Sequence, residues 1–144
     1  MITRQDGTEH DTLNDTLGEI KYEIGIERAE YLERSLQQVI LDRMCTKCSA
    51  EFESQGAGPK VKKLIQMVAK CCAKSEDFIQ AELPLQEILL RTLLIKGNRP
   101  MRLMDLHKVI TEQWATPVRP MNISIEDLKR ILDSDNYYCF NESH

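Results

Sequence analysis

The chain has 144 residues, 42% of them hydrophobic and 29% charged, with a formal net charge of −4 at pH 7. That length suits one ordinary domain, or one module with a helical extension, and excludes two full-sized domains; the apolar and charged fractions exclude wholesale disorder. The acidic total argues against strong non-specific nucleic-acid binding, which draws on a basic face, but leaves room for a local basic patch.

The charge is segregated: residues 1–57 hold 12 acids against 6 bases, residues 58–75 hold 5 lysines and no acid, and residues 83–144 balance 8 against 8. No run approaches the roughly 18 apolar residues that cross a bilayer, and the N-terminus lacks the basic-then-apolar pattern of a secretory signal. The expected location is therefore the cytoplasm, or the nucleus in a eukaryote, with no membrane partner. In such a compartment the five cysteines are expected as reduced thiols or metal ligands rather than disulfides.

Residues 1–12 are almost without apolar side chains and read as a disordered tail. From about Thr12 to Met44, Leu13, Leu17, Ile20 and Ile24 and then Leu32, Leu36, Val39 and Ile40 recur at helical spacing. Gly18 and Gly25 each cost roughly 1 kcal/mol in a helix interior, so this reads as two helices or one that bends near Gly25. Residues 54–59, with two glycines and a proline, form a loop. Over Lys60–Lys74, Val61, Leu64, Ile65, Val68, Cys71 and Cys72 share one side and Lys60, Lys63, Lys70 and Lys74 form an adjacent stripe, available to phosphate, to an acidic partner or to solvent. The region 13–80 is accordingly expected to be a helical dimerisation or docking region.

Leu83–Ile95 is apolar on two faces, with Leu85, Ile88, Leu89 and Ile95 on one and Leu83, Leu90 and Leu94 on the other, so both must be covered. Gly97-Asn98-Arg99-Pro100 ends the helix, and Met101–Leu103 is a short extended piece before an amphipathic helix Met104–Trp114 with the stripe Leu106, Ile110 and Trp114. Ser124 and Asp127 start a further helix through Leu132 in the manner of a capping box, and Tyr137–Phe140 has the aromatic enrichment of a strand.

Helix, short strand, helix, helix, strand is the skeleton of a winged helix. The segments LLIKGNRPMRLMDLHKVI and ISIEDLKRILDSDNYYCF resemble the HARE-type helix-turn-helix family, which includes the N-terminal domain of the bacterial RNA polymerase delta subunit and modules attached to restriction enzymes and chromatin proteins. The resemblance rests on the Gly97-x-x-Pro100-Met101 turn, Asp105-Leu106-x-x-Val109-Ile110, and Leu128-x-x-Ile131-Leu132 closed by Tyr137–Phe140. It implies a mainly α chain whose residues 81–144 form a winged-helix-like module with a minimal β element, associated with nucleic acid or transcription machinery. In two respects the chain departs from the family. It ends at His144, so the wing's returning strand is expected to be missing, and the helix in the recognition position opens with Glu126 and Asp127, which repel phosphate. These departures keep open a protein-interaction or oligomerisation module without nucleic-acid binding, acting through a protein partner or as a homodimer held by the N-terminal helices.

The candidate phosphate contacts are Arg99, Arg102, Lys108, Arg119, Lys129 and Arg130. Cys45-x-x-Cys48 has the spacing of a zinc knuckle, for which Cys71 and Cys72 are the nearest further donors. Adjacent residues on a helix point about 100° apart, which argues against both reaching one ion, so the sequence favours structural thiols, with zinc and a redox pair as alternatives. His107 reads as an edge-of-core histidine, while His10 and His144 lie in tails. No residue set completes a nucleophile–base pair and no Gly-rich phosphate loop occurs. The reading is of a non-catalytic binding module with no cofactor unless zinc.

Overall fold

The computed structural model describes residues 16–32, 35–54, 61–118 and 120–143. The tail assigned to 1–12, the loop residues 55–60, His10, Arg119 and His144 lie outside the described residues. The chain is mainly helical with one small antiparallel sheet. In order come β1 (Lys21–Ile24), α1 (Ile26–Tyr31), α2 (Leu36–Leu41), α3 (Thr46–Ser54), α4 (Val61–Lys70), a 3-10 turn at Cys72–Lys74, α5 (Leu85–Ile95), β2 (Met101–Arg102), α6 (Leu103–Lys108) running into a π-helical turn at Val109–Gln113, α7 (Ile125–Ser134) and β3 (Phe140–Ser143).

The helical expectation for the first segment is corrected at Lys21–Ile24, which is a strand. Tyr22 and Ile24 are buried while Lys21 is exposed and Glu23 half-buried, the period of two that a sheet imposes. The spacing of Leu17, Ile20 and Ile24 fits a helix equally well on paper, but aromatic and β-branched side chains between two glycines suit a pleated surface better. The strand is also the middle one of three, in the order β2-β1-β3, with Tyr22 opposite Met101 and Glu142 and Ile24 opposite Phe140. Residues from the region 13–80 thus complete the sheet of the region 81–144, and one buried core runs through both.

Side chains extend the ladder where β2 is too short. Asn98, at φ 59°, turns its amide onto Ile24, accepting from its N–H at 2.7 Å and donating to its carbonyl at 3.0 Å. Beyond the other end of the pairing, the Leu103 N–H donates to the Ile20 carbonyl at 2.7 Å. The strand expected at 137–140 begins only at Phe140, because Asp135 gathers the N–H groups of Tyr138 and Cys139 at 2.8 and 2.9 Å and holds the preceding residues in a turn, with Cys139 at φ 63°.

The two-faced helix is covered as expected: Ile88, Leu89, Leu90, Leu93 and Leu94 of α5 are fully buried, although Ile95 is exposed. On α7 the Ser124 hydroxyl accepts from the Asp127 N–H at 3.0 Å, the N-cap bond expected of this sequence. The helix expected over Met104–Trp114 begins one residue earlier and widens at Val109–Gln113, where the Trp114 N–H reaches back five residues to the Val109 carbonyl at 3.1 Å. Three β-branched residues in succession, Val109-Ile110-Thr111, crowd this turn, and the Thr111 hydroxyl bonds the His107 carbonyl at 2.8 Å.

Gly25, the residue after β1, lies close against Asn141 of β3. A Cβ at this position would lie 2.5 Å from the Asn141 Cβ and 3.2 Å from that of Arg28, while the Gly25 N–H donates to the Cys139 carbonyl at 2.8 Å. Gly25→Ala is expected to destabilise the protein by about 1–3 kcal/mol, the usual cost of overpacking, and Asn141→Gly is expected to recover part of that loss in the double variant. Urea denaturation of the four proteins checks this; a Gly25→Ala midpoint equal to the parent's contradicts it.

Candidate metal centre and basic surface

Cys45 stands immediately before α3, its carbonyl accepting the first helical bond from the Ser49 N–H at 3.0 Å, and Cys48 lies one turn into the helix. Position i+3 returns to the same face, so both thiols point to one side. Cys71 and Cys72 follow the last residue of α4. At Cys71 the backbone leaves helical geometry, φ −124° and ψ −68°, before the 3-10 turn. Adjacent cysteines diverge by about 100° on an α-helix, but Cys71 and Cys72 lie past the end of α4 and escape that constraint.

The sulfurs of Cys45, Cys48 and Cys71 all lie within 4.8 Å of one another, with Cys45 and Cys71 4.0 Å apart. The Cys72 sulfur, outside that group of three, accepts the Cys45 backbone N–H at 3.2 Å. Cys48 and Cys72 are buried, whereas Cys45 and Cys71 are half-buried. A backbone hydrogen bond at Cys48, with contributions from the neighbouring thiols, draws the Cys45 thiol down to about 7 against the effect of burial. Burial pushes Cys48 and Cys72 up. The fifth cysteine, Cys139, is buried ahead of β3, outside this group.

The five described basic residues among those singled out in the sequence, Arg99, Arg102, Lys108, Lys129 and Arg130, do not form one free patch. Arg102 is paired with Asp105 at 3.0 Å and Glu19 at 3.3 Å, and Arg130 with Asp127 at 3.1 Å. Lys129 donates to Asp133 at 2.8 Å and to the Tyr22 hydroxyl at 3.0 Å, with Glu142 at 3.7 Å. The Asp133 and Tyr22 bonds raise the Lys129 ammonium above its ordinary range, and Tyr22 itself, through burial and its bond to Asp133, is pushed up to about 12. Arg99 turns back to the Lys96 carbonyl at 3.2 Å, and Lys108 is exposed. His107 bonds the Ile123 carbonyl at 2.7 Å, as an edge-of-core histidine should.

Sequence reasoning missed the most heavily engaged ionisable group, Glu87. It is buried on α5, receives Arg43 bidentately with both bonds at 2.9 Å, and also binds Arg91 at 2.8 Å and the Tyr138 hydroxyl at 3.0 Å. Arg43 further donates to the Val39 carbonyl at 2.8 Å and Arg91 to that of Phe78 at 2.6 Å. The only hint in the sequence was one carboxylate on a helix that is apolar on two faces. Burial alone would raise this carboxyl; the hydrogen bonds from Arg43 and Arg91 overcome it and hold Glu87 down to about 2.

Among the described residues, no helix is long and apolar enough to cross a membrane. Comparison with protein-family models, curated proteins and solved structures finds no match.

The Glu87 carboxylate is stabilised by folding, so its contribution is full above its ordinary value of 4.5 and is lost as pH falls toward about 2. Glu87→Gln, which leaves two arginines facing a neutral amide, is expected to cost about 3–5 kcal/mol at pH 7. The gap in urea midpoint between parent and variant should narrow as pH drops through that window. A gap that is constant from pH 7 to pH 2.5 contradicts the assignment.

Proposed function

We propose that this chain is a non-catalytic binding module of winged-helix-like architecture that recognises a protein partner rather than nucleic acid. The order α5, β2, α6, α7, β3 follows the winged-helix skeleton, and β1 stands in the middle of the sheet, where the returning strand of a wing would lie.

The observation that carries the choice of partner is the pairing of cations with carboxylates around α7. Lys129 and Arg130 on that helix and Arg102 on β2 each have a carboxylate within 3.1 Å. Exposed pairs of this kind contribute little stability, yet each places a negative charge where a phosphate would have to sit. Glu126 adds one more acid beside Asp127 at the N-terminal end of α7. Nucleic-acid association through Arg99 and Lys108, which have no carboxylate partner among the described residues, is the competing reading.

Fluorescence anisotropy with a generic duplex at low and moderate salt separates the two. The expected result is negligible binding even at low salt, unchanged in a combined Arg102→Glu, Lys129→Glu and Arg130→Glu variant. Salt-sensitive binding that disappears in Arg99→Glu with Lys108→Glu, in protein that keeps its circular dichroism, would overturn the proposal.

A further inference from the structure

We propose that Cys45, Cys48 and Cys71 bind a zinc ion, with the neighbouring Cys72 thiol as the donor that completes a tetrahedral tetrathiolate site. The site fastens the start of α3 to the end of α4 and is independent of what the module recognises.

The geometry is what such a site requires. Sulfurs bound at about 2.3 Å to one tetrahedral zinc lie about 3.8 Å from each other; Cys45 and Cys71 are 4.0 Å apart, and Cys48 falls within the same 4.8 Å group. A disulfide needs two sulfurs at about 2.05 Å, and it has no use for a third converging thiol. A cysteine serving only as a small apolar side chain need not turn its sulfur toward two others.

The surroundings suit thiolates. Cys45 lies at the N-terminus of a nine-residue helix, where the helix dipole favours negative charge. Its backbone N–H points at the Cys72 sulfur at 3.2 Å, a bond that strengthens when that sulfur is ionised. Lys47, between the first two cysteines, is exposed and can offset the excess charge of four thiolates on a divalent ion. On binding, four S–H bonds give way to four Zn–S bonds and four protons pass to solvent, so no oxidant or reductant is involved.

The test uses untagged full-length protein purified under reducing conditions from zinc-supplemented medium. Atomic emission is expected to find about one zinc per chain, as one tetrahedral site requires. Cys48→Ser and Cys71→Ser should reduce it to background, and Cys139→Ala should keep it. Because a serine variant can lose metal by failing to fold, the parent is also stripped at low pH with chelator and titrated with cobalt. The expected absorption is that of tetrahedral thiolate coordination, saturating at one equivalent and displaced by zinc. Cys72→Ser should weaken binding and alter the cobalt spectrum; an unaltered spectrum would remove Cys72 from the site. Folded parent protein that takes up neither zinc nor cobalt, or that retains zinc in both Cys48→Ser and Cys71→Ser, overturns the proposal. So does an intramolecular disulfide among these residues in protein kept reduced throughout.

Discussion

The four residues of β1 supply the cross-strand partners of both β2 and β3, which do not pair with each other. A two-residue strand such as β2 has almost no pairing of its own, and a single hairpin is marginal in water even when complete. Placing β1 between the other two turns three weak pieces into a sheet whose inner face, through Tyr22, Ile24 and Phe140, joins the buried core. The chain must therefore bring residues 21–24 to residues 101–102 and 140–143 before either end is stable. Such long-range closure costs entropy that local helices do not pay. The Asn98 amide on Ile24 and the Leu103 N–H on Ile20 are the devices that secure this closure at the β2 edge.

Glu87 fixes the helical half to that sheet. Arg43 follows α2, Glu87 and Arg91 are on α5, and Tyr138 leads into β3, so one carboxylate ties three parts of the chain together. A buried ion pair is weak evidence for net stability, because desolvation can exceed the attraction. Its effect here is positional. The two arginines use further N–H groups on the Val39 and Phe78 carbonyls, so displacement of the carboxylate also disturbs the end of α2 and the segment before α5. The Arg43 guanidinium also lies 5.8 Å from the centre of the Tyr138 ring and 6.0 Å from that of Tyr137, which adds aromatic cover to the cluster.

Periodicity revealed the helices with strong apolar faces and local caps: α5 and α7 lie close to where Leu83–Ile95 and Ser124–Leu132 put them, and α4 occupies most of the expected Lys60–Lys74 before breaking at Cys71, because those signals are local. It failed where the deciding contact is distant. Residues 21–24 carry an apolar spacing compatible with helix and strand alike, and only pairing with 101–102 and 140–143 selects the strand. The thiol cluster was half legible. Cys45-x-x-Cys48 announced itself by spacing, but Cys71 joins it only because the backbone leaves helical geometry at that residue, which nothing local requires. The pairing of Lys129 with Tyr22, 107 residues away, was equally out of reach.

The same long-range contacts determine what α7 can offer a partner. A helix N-terminus attracts anions through its free N–H groups and its dipole. On α7 the Asp127 N–H is already bound to the Ser124 hydroxyl, and Glu126 and Asp127 present negative charge to that end. Further along, Lys129 is drawn inward over the Tyr22 ring at 5.6 Å, with Asp133 on one side and Glu142 of β3 on the other. Its ammonium serves the junction between α7 and the sheet, so β1 recruits the central cation of α7 at the same time as it completes the sheet. A helix whose anion-binding end is capped and whose middle cation belongs to the fold presents a mixed polar surface of the kind a protein partner can match by complementary pairing.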